Sequence, residues 1–431
     1  MEETIRSGVL DLLHRELKPA GAAHETLAIA LAAAHAARAV GGEVQRVRLW
    51  ADPALFKMSF ALHIPGTAET GILMAAALGA VAGEPKGGVK DVLVNTDAES
   101  VAAARRLVER DAVDAQSWAW MEYPFVRVIV STSEGEGLAV VRGTYETLSL
   151  LVANDVTLAR NEQEPHGAVG FEPIDKLTVP EIIAIARGLR FDDIRFLLEG
   201  GDVNLALAVE GMTTAKDSGL ASRMLAMRTE GMLATDLRND VELHVIAAEE
   251  ARVLSEGPVM TLAGSGSHGI VALVPVAVAA KLDGADQETT ARALALSCLI
   301  TLKVKSLTGR LTPLCGCGIA ASTGAACGLV LLRGGSEEQI GYAVRNMAAD
   351  IPGMVCDGLN TGCALKVSTG ALAAVRAALL ALAGLTVPPG TGIAHADPDR
   401  ALETIGRLSR VGMASVDSVI AADMSAGLHV R

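Results

Sequence analysis

Aromatic residues are scarce in this sequence: only 3% of its 431 residues are Phe, Trp or Tyr, although half are apolar. A core must therefore be built from Ala, Leu, Val and Ile, with the 44 glycines allowing close approaches and turns. Such a mixture favours closely packed helices. At this length the chain exceeds what one hydrophobic core usually supports, so we expect two domains.

The sequence also lacks a run of basic residues, and its formal net charge is −13. Nucleic acids and anionic membranes are therefore disfavoured as partners, because both require a basic face. No stretch reaches the roughly 18 unbroken apolar residues of a membrane span. The acidic, amphipathic start MEETIRSGVLDLLHREL has no basic segment or apolar core of a secretory signal. We predict a cytoplasmic protein without transmembrane helices.

No cysteine precedes position 298, and all six occur within one segment: Cys298, Cys315, Cys317, Cys327, Cys356 and Cys363. Disulfides are not expected in a cytosolic chain of this size, so the clustering indicates a metal, a cluster or redox chemistry. The alternative is that they are small apolar thiols of the core. That alternative is preferred for Cys298 and Cys327, which lie within apolar helical sequence.

The pattern of the chain predicts an α+β fold. Residues 1–175 are expected to form a mixed α/β substrate-side domain, and residues 176–431 a mostly α-helical domain that binds a cluster. In the first part, helices are predicted at 27–40 and 71–83 and a loop at 51–57. Strands are predicted at five places: 43–50, 59–64, 90–96, 125–134 and 138–144, the second of them running into a turn at 65–67.

Two segments carry the candidate ligands. LTPLCGCGIAASTGAACG places Cys315 and Cys317 on a glycine-spaced turn before a helix, where backbone N–H groups stabilise thiolates. GMVCDGLNTGCALKVSTG carries Cys356 and Cys363 on either side of a polar loop. A structural zinc site usually has two close cysteine pairs, and the sequence has no CxxC. Three cysteines favour instead a cluster with one iron open to substrate, which would act as a Lewis acid.

Several long blocks resemble the iron–sulfur L-serine dehydratase alpha chains and, more closely, the related L-cysteine desulfidases. The main blocks are AGSGSHGIVALVPV (263–276), ARALALSCLITLKVKSLTGRLTPLCG (291–316) and NMAADIPGMVCDGLNTGCALKVSTG (346–370). Further similar blocks are HIPGTAETGILMAAALGA, VNLALAVEGM and IGRLSRVGMASVDSVI. The resemblance covers nearly the whole chain.

The resemblance implies a [4Fe-4S] cluster on Cys315, Cys356 and Cys363, a small carboxylate substrate and a homodimer. Cys317 is an additional cysteine that could compete with Cys315. His268, in a glycine-rich turn, is either an exposed substrate contact or a simple turn residue. Lys366 is a candidate for the substrate carboxylate, although a lysine on a helix surface is the commoner explanation.

The N-terminal family signature Pro-Ala-Leu-Gly-Cys-Thr-Glu-Pro reads PAGAAHET here, so Ala23 stands where the family has its catalytic cysteine. Alanine cannot act as a nucleophile or transfer a proton. His24 and Glu25 follow it and could form a substitute acid/base pair, or simply a polar helix N-terminus.

Three further positions differ on the substrate side. Asp52-Pro53-Ala54 replaces a Ser-Gly-Asn stretch, and the turn at 143–147 carries Tyr145. His63 stands where the family has glycine, just before a glycine turn that ends at Thr67 and could cradle an anion. The sequence therefore predicts retained cluster chemistry facing an altered substrate pocket.

Three functions are compatible with these residues. The first is a lyase that releases hydrogen sulfide or water from a small carboxylate other than plain L-cysteine. The second is hydrolytic desulfuration of a thiocarbonyl, thiohydantoin-like carboxylate. The third is a relative that binds a cluster or ligand without turnover.

Overall fold

The computed structural model describes residues 2–20, 24–118, 124–161, 170–214, 219–254, 258–358 and 362–428. Ala23 lies outside these residues. The chain divides into two compact units. The helical unit comprises Met1–Gly21, Gly170–Cys356 and Thr361–Ala414, and the sheet unit comprises Ala22–Val169, Asp357–Asn360 and Ser415–Arg431.

The secondary structure of the described residues follows in chain order. The strands are β1 (Leu17–Ala20), β2 (Val44–Ala51), β3 (Val113–Ser117), β4 (Phe125–Thr132), β5 (Gly135–Arg142), β6 (Leu148–Ala153), β7 (Val156–Arg160) and β8 (Val259–Leu262). The first nine helices are α1 (Glu2–Glu16), α2 (His24–Val40), α3 (Pro53–Ser59), α4 (Ile72–Ala82), α5 (Gly88–Asp91), α6 (Ala98–Glu109), α7 (Val179–Gly188), α8 (Phe191–Ile194) and α9 (Phe196–Thr214). The remainder are α10 (Leu220–Thr229), α11 (Leu237–Leu254), α12 (Gly266–Asp283), α13 (Gln287–Thr308), α14 (Ser322–Leu332), α15 (Glu337–Asp350), α16 (Cys363–Leu382), α17 (Pro398–Arg407) and α18 (Val416–Leu428).

The sheet unit is built on a mixed six-stranded sheet in the order β3-β2-β4-β5-β6-β7. Strands β2 and β3 are parallel, and the other neighbours are antiparallel. Helix α2, almost wholly buried, packs on β4 and β5 and against α4. Gly79 of α4 lies on the backbone of Ala30, where any side chain would overlap it. Small residues thus permit the close helix packing that the scarcity of aromatics predicts.

The helical unit is built around α12, α13, α14 and α16, most of whose residues are buried. Gly324 of α14 lies against the carbonyl of Ser297 in α13, which brings these two helices into close contact. Strand β1 of the N-terminal segment pairs antiparallel with β8 of this unit. The N-terminal helix α1 therefore belongs to the helical unit, whereas a single boundary near residue 175 was the expectation from sequence.

The predicted α+β class is confirmed, with a mixed sheet followed by a largely helical part. Three local predictions were wrong. Residues 53–59 form α3 instead of a loop, because Asp52 caps the helix by accepting hydrogen bonds from the N–H groups of Ala54 and Leu55. Residues 59–67 contribute only one bridge, between His63 and Thr70, because the chain folds back on itself after a short turn.

Residues 90–96 are the third error, since they lie at the end of α5 and in the turns that follow it. Val89, Val92 and Leu93 are all buried, and their spacing of three and four residues is that of a helical face. A short apolar run that is rich in valine is typical of a strand, which is why the sequence pattern predicts one here.

Two helices among the described residues, Gly266–Asp283 and Cys363–Leu382, are long and apolar enough to cross a membrane by length and composition alone. Within the protein, 83% and 56% of their apolar windows are buried. Core helices of soluble proteins have the same properties, so these two helices are weak evidence for a membrane span.

Candidate active site

Two loops of the helical unit bring candidate ligands together. Leu314 and Val355 form an antiparallel bridge. The N–H of Cys315 donates to the carbonyl of Met354 at 2.8 Å, and the N–H of Cys356 donates to the carbonyl of Pro313 at 2.7 Å. These bonds fix Cys315 and Cys356 on neighbouring segments, although they are far apart in the sequence.

Cys315 and Cys317 form a closely spaced and unequal pair of thiols. Their Sγ atoms are 3.3 Å apart, and Cys317 begins a π-helical turn, Cys317–Ala321, that leads into α14. The hydrogen bond from Cys317, the N–H of Gly318 and the charge of Lys366 together lower the pKa of Cys315 to about 7, against the opposing effect of burial. The same hydrogen bond, burial and the neighbouring thiolate charges raise the pKa of Cys317 well above its ordinary value. These opposite shifts favour a thiolate on Cys315 and a protonated Cys317.

Cys363 is the first residue of α16 and is buried. Its thiolate charge acts on Cys317 and on Arg252, so it lies in the same electrostatic neighbourhood. Cys298 and Cys327 differ from the other cysteines, because they are fully buried in α13 and α14 and burial raises their pKa values to about 12. Neither is a ligand candidate, as the sequence indicates.

Lys305 of α13 is a cation that sequence reasoning missed. Its side chain is 1% exposed. Burial lowers its pKa to about 8, while the charges of the Cys356, Cys317 and Cys315 thiolates favour the ammonium form. The signal available in the sequence was the pair of lysines, Lys303 and Lys305, in the largely buried second half of α13, shortly before Cys315. Lys366 of α16, the predicted carboxylate contact, is half-buried and acts electrostatically on Cys315.

His268 is neither exposed nor in a simple turn. It lies in the first turn of α12, whose N-cap is Ser265, and it is buried. Its Nδ1 is 3.2 Å from the carbonyl oxygen of Leu262, to which it donates. Burial and the charge of Lys305 hold the pKa of His268 well below its usual range, so the imidazole is neutral. Its Nε2 faces Gly316, between Cys315 and Cys317.

Arg252 and Glu249 form a buried ion pair near the cysteines, with the two side chains 2.6 Å apart. Ser267 joins them by donating to Glu249 at 2.8 Å and accepting from Arg252 at 3.0 Å. Burial opposes the charge of Arg252, but the Glu249 carboxylate keeps its pKa raised. This network is internally satisfied and was not predicted from sequence.

In the sheet unit, the structure brings together His24, Glu25 and Tyr145. The hydroxyl of Tyr145 donates to Glu25 Oε1 at 3.2 Å, and the rings of Tyr145 and His24 stack with centroids 6.4 Å apart. His24 and Glu25 open helix α2. The imidazole and the carboxylate are thus held by one aromatic side chain.

His63 and Thr67 meet within one turn. His63 Nε2 donates to the carbonyl of Thr67 at 2.6 Å, and the Thr67 hydroxyl donates to the carbonyl of Ile64 at 2.9 Å. The Thr67 hydroxyl also accepts from the N–H of Glu69 at 3.0 Å. Both side chains therefore stabilise the turn that the sequence predicts as an anion cradle.

Asp52 and Lys57 are buried charges of the same unit. Asp52 accepts from three backbone N–H groups, each at 2.9 Å, and burial together with the charge of Asp417 raises its pKa to about 6. Lys57, fully buried, pairs with Asp417 of α18 at 2.5 Å. Gly358, with φ +98°, packs on the carbonyl of Lys57 so closely that a side chain would clash. The altered Asp-Pro-Ala motif is thus a helix cap.

Comparison with known proteins identifies the family. Residues 105–422 match the family model described as serine dehydratase alpha chain. A UPF0597 protein of Clostridioides difficile is 33% identical, covering 95% of this chain and 97% of that protein. UPF0597 proteins of Clostridium perfringens and Alkaliphilus oremlandii are 32% and 31% identical, covering 96% and 98% of this chain and 97% and 99% of their own. The chain therefore belongs to the serine dehydratase alpha chain family and shares nearly its whole length with UPF0597 proteins.

Proposed function

We propose that this protein is an iron–sulfur lyase that removes hydrogen sulfide or water from a small carboxylate other than plain L-cysteine. Membership of the serine dehydratase alpha chain family, which is generally associated with iron–sulfur clusters, supports dehydratase-type chemistry. The observation that carries the proposal is the pairing of the Cys315 and Cys356 segments beside the buried cation Lys305.

Three cysteine thiols are the kind of donor set that holds an iron–sulfur cluster. Among the described residues, no three His, Cys, Asp or Glu side chains are grouped as ligands of one metal ion. The ligands of a cubane cluster bind different irons, so they stand further apart than those of one ion. Cys315, Cys356 and Cys363 would hold the cluster, and a [4Fe-4S] cluster with three protein ligands supplies a Lewis-acidic iron for a leaving hydroxyl or thiol.

The unequal thiols support Cys315, and not Cys317, as the third ligand. A cysteine binds metal as its thiolate. The opposite pKa shifts of the two thiols, lowered for Cys315 and raised for Cys317, favour the thiolate on Cys315. Cys317 would then act as a hydrogen-bond donor to a ligand sulfur.

His24 and Glu25 are proposed to move the proton. His24 would take the proton from the carbon adjacent to the one that bears the leaving group, or from water in a hydrolytic reaction. Glu25, held by Tyr145, would orient the imidazole and stabilise its charged form. General base catalysis of this kind contributes about 10²–10⁴-fold to a rate.

We also propose that the protein is a cytoplasmic homodimer.

The test is a substrate panel with anaerobically purified protein. The panel contains L-serine, L-cysteine, other small hydroxy and thiol carboxylates, and a thiohydantoin carboxylate, and sulfide and keto-acid products are measured. We expect turnover of a carboxylate other than L-cysteine. Efficient cleavage of L-cysteine, or no turnover of any compound by cluster-loaded protein, would contradict the proposal. Sulfide release from the thiohydantoin alone would favour the hydrolytic alternative.

A further inference from the structure

Cys315 and Cys317 are close enough to be joined by a disulfide. Their Sγ atoms are 3.3 Å apart. The separation of their Cα atoms depends on the backbone dihedrals of Gly316, the residue between them, which are helical at φ −63° and ψ −38°. Helical dihedrals place Cα atoms two residues apart at about 5.4 Å from each other. Disulfides span Cα separations of about 4.4–6.8 Å, so the backbone already has a suitable spacing. The two Sγ atoms need to approach by about 1.3 Å, which rotation of the side chains supplies.

Cys356 is less well placed to bond Cys315. The N–H of Cys315 donates to the carbonyl of Met354, which lies opposite it across the antiparallel bridge between the two segments. Cys356 follows Met354 by two residues and is therefore the diagonal neighbour of Cys315. Diagonal neighbours in such a pair are about 7–8 Å apart, beyond the span of a disulfide. The geometry therefore favours Cys317 over Cys356 as the partner of Cys315.

Burial restricts the oxidants that reach the pair. Cys315 is 2% exposed and Cys317 is 8% exposed. A bulky disulfide such as oxidised glutathione must place one of its own sulfurs beside the attacking thiol, so its reaction depends on access. Hydrogen peroxide is little larger than water. It is therefore the oxidant that suits this pair.

We propose that Cys315 and Cys317 form a redox-modification site, which hydrogen peroxide converts to a disulfide in the cluster-free protein. Peroxide oxidises one thiol to a sulfenic acid as its O–O bond breaks, and one water leaves. The neighbouring sulfur then attacks the sulfenic sulfur, so that the S–S bond forms and the S–O bond breaks. The departing hydroxyl leaves as a second water with the proton of the attacking thiol. Two thiols are thereby oxidised, and one peroxide is reduced to two waters.

The modification controls cluster assembly, and this consequence rests on the proposed function. A cysteine binds iron as its thiolate, and Cys315 has no thiolate while it is part of a disulfide. The disulfide also prevents further oxidation of Cys315 to sulfinic acid, which thiol reductants do not reverse. The pair therefore withholds one cluster ligand under oxidising conditions and restores it on reduction.

The first experiment treats the cluster-free full-length protein with one equivalent of hydrogen peroxide per chain. Free thiols counted by alkylation after denaturation should fall from six to four, because two of them form the disulfide. Fragmentation mass spectrometry should locate the linkage between Cys315 and Cys317, and dithiothreitol should restore all six thiols. No loss of thiols, or a linkage through Cys356 or Cys363 in place of this one, would overturn the proposal.

The second experiment uses Cys317→Ser, with Cys327→Ser as the matched control. The control residue lies in the same segment but is fully buried in α14. In Cys317→Ser, excess peroxide should convert Cys315 to sulfinic acid that dithiothreitol does not reduce. Cys327→Ser should form the disulfide and recover as the wild type does. Full recovery of the Cys315 thiol in Cys317→Ser would overturn the proposal. Thermal melting identifies a variant that fails to fold, and the linkage mapped in the wild type requires no variant.

Iron uptake separates this inference from the proposed function. The initial uptake of iron is measured anaerobically without a thiol reductant. The peroxide-treated wild type should lose the uptake of the reduced sample and regain it after dithiothreitol has been added and removed. Equal uptake by the oxidised and reduced samples would reject the control of cluster assembly. A mapped disulfide in a protein that takes up no iron in either form would retain the modification site and reject the cluster function.

Discussion

The Sγ atoms of Cys315 and Cys317 lie 3.3 Å apart and are joined by a hydrogen bond. That bond lowers the pKa of Cys315 to about 7 and raises that of Cys317 well above its ordinary value. The sequence left open which of the two would ligate a cluster. The opposite directions of the two pKa shifts favour Cys315 as the ligand.

Replacing Cys317 with alanine should raise the pKa of Cys315 toward that of an ordinary thiol, because the stabilising donor is lost. The measurement is the ultraviolet absorption of thiolate as a function of pH in the cluster-free protein, with Cys315→Ser identifying the transition. A transition that stays near pH 7 in Cys317→Ala would show that the hydrogen bond does not control the pKa.

Replacing Tyr145 with phenylalanine should slow turnover, since it removes the hydroxyl that holds Glu25. His24→Ala should reduce the rate further, by about 10²-fold or more. Both variants should keep the iron content of the wild type. Glu109→Gln, at the exposed end of α6, is the control. Full activity in His24→Ala would show that His24 does not transfer the proton.

Asp52 should make the stability of the protein depend on pH. Its pKa in the folded state, about 6, exceeds the ordinary value, so its stabilising contribution is complete below about pH 4 and is lost as the pH rises through 6. The loss is roughly 3 kcal/mol by the size of the shift. Denaturant unfolding between pH 4 and 7 should show this decline in the wild type and a flatter profile in Asp52→Asn.

Asp286 provides a contrast for that experiment. It is an exposed N-cap whose pKa is lowered by hydrogen bonds from Thr289. Its contribution is therefore present above the ordinary pKa of an aspartate and declines as the pH falls. If Asp286→Asn and Asp52→Asn altered the pH profile in the same direction, the assignment of Asp52 would be incorrect.

The ion pair of Lys57 with Asp417 should behave as a coupled unit. Lys57→Met alone leaves the Asp417 carboxylate in a largely buried place and should cost about 3–5 kcal/mol of unfolding free energy. The double variant Lys57→Met/Asp417→Leu should recover much of that loss. A double-mutant cycle by denaturant unfolding measures the coupling, and simple additivity would argue against it.

The spacing of apolar residues and glycines along the sequence predicted individual helices, strands and turns. Helix α2 and strands β4 and β5 were predicted from their apolar residues and the spacing at which these recur. The loops that carry the cysteines were predicted from the glycines beside them. Helix α3 was missed although its signal was present, since Asp52-Pro53 is a standard cap and first-turn pair.

The environment of the cysteines could not be predicted in the same way. Lys305 lies on one helix, His268 on another and Cys356 in a distant loop, and only tertiary packing brings these side chains together. Sequence separation carries no information about such contacts. The glycine of the Cys-Gly-Cys turn was visible in the sequence, but its close approach to Lys305 and His268 was not.

The most direct measurement is the iron and acid-labile sulfide content per chain after anaerobic reconstitution, compared between Cys356→Ser and Cys298→Ser. The wild type and Cys298→Ser should hold about four irons per chain, because Cys298 is a core thiol. Cys356→Ser should lose most of that iron and the visible absorption of the cluster. Equal iron in both variants, or a wild type that binds none, would contradict the assignment of this site as an iron–sulfur centre.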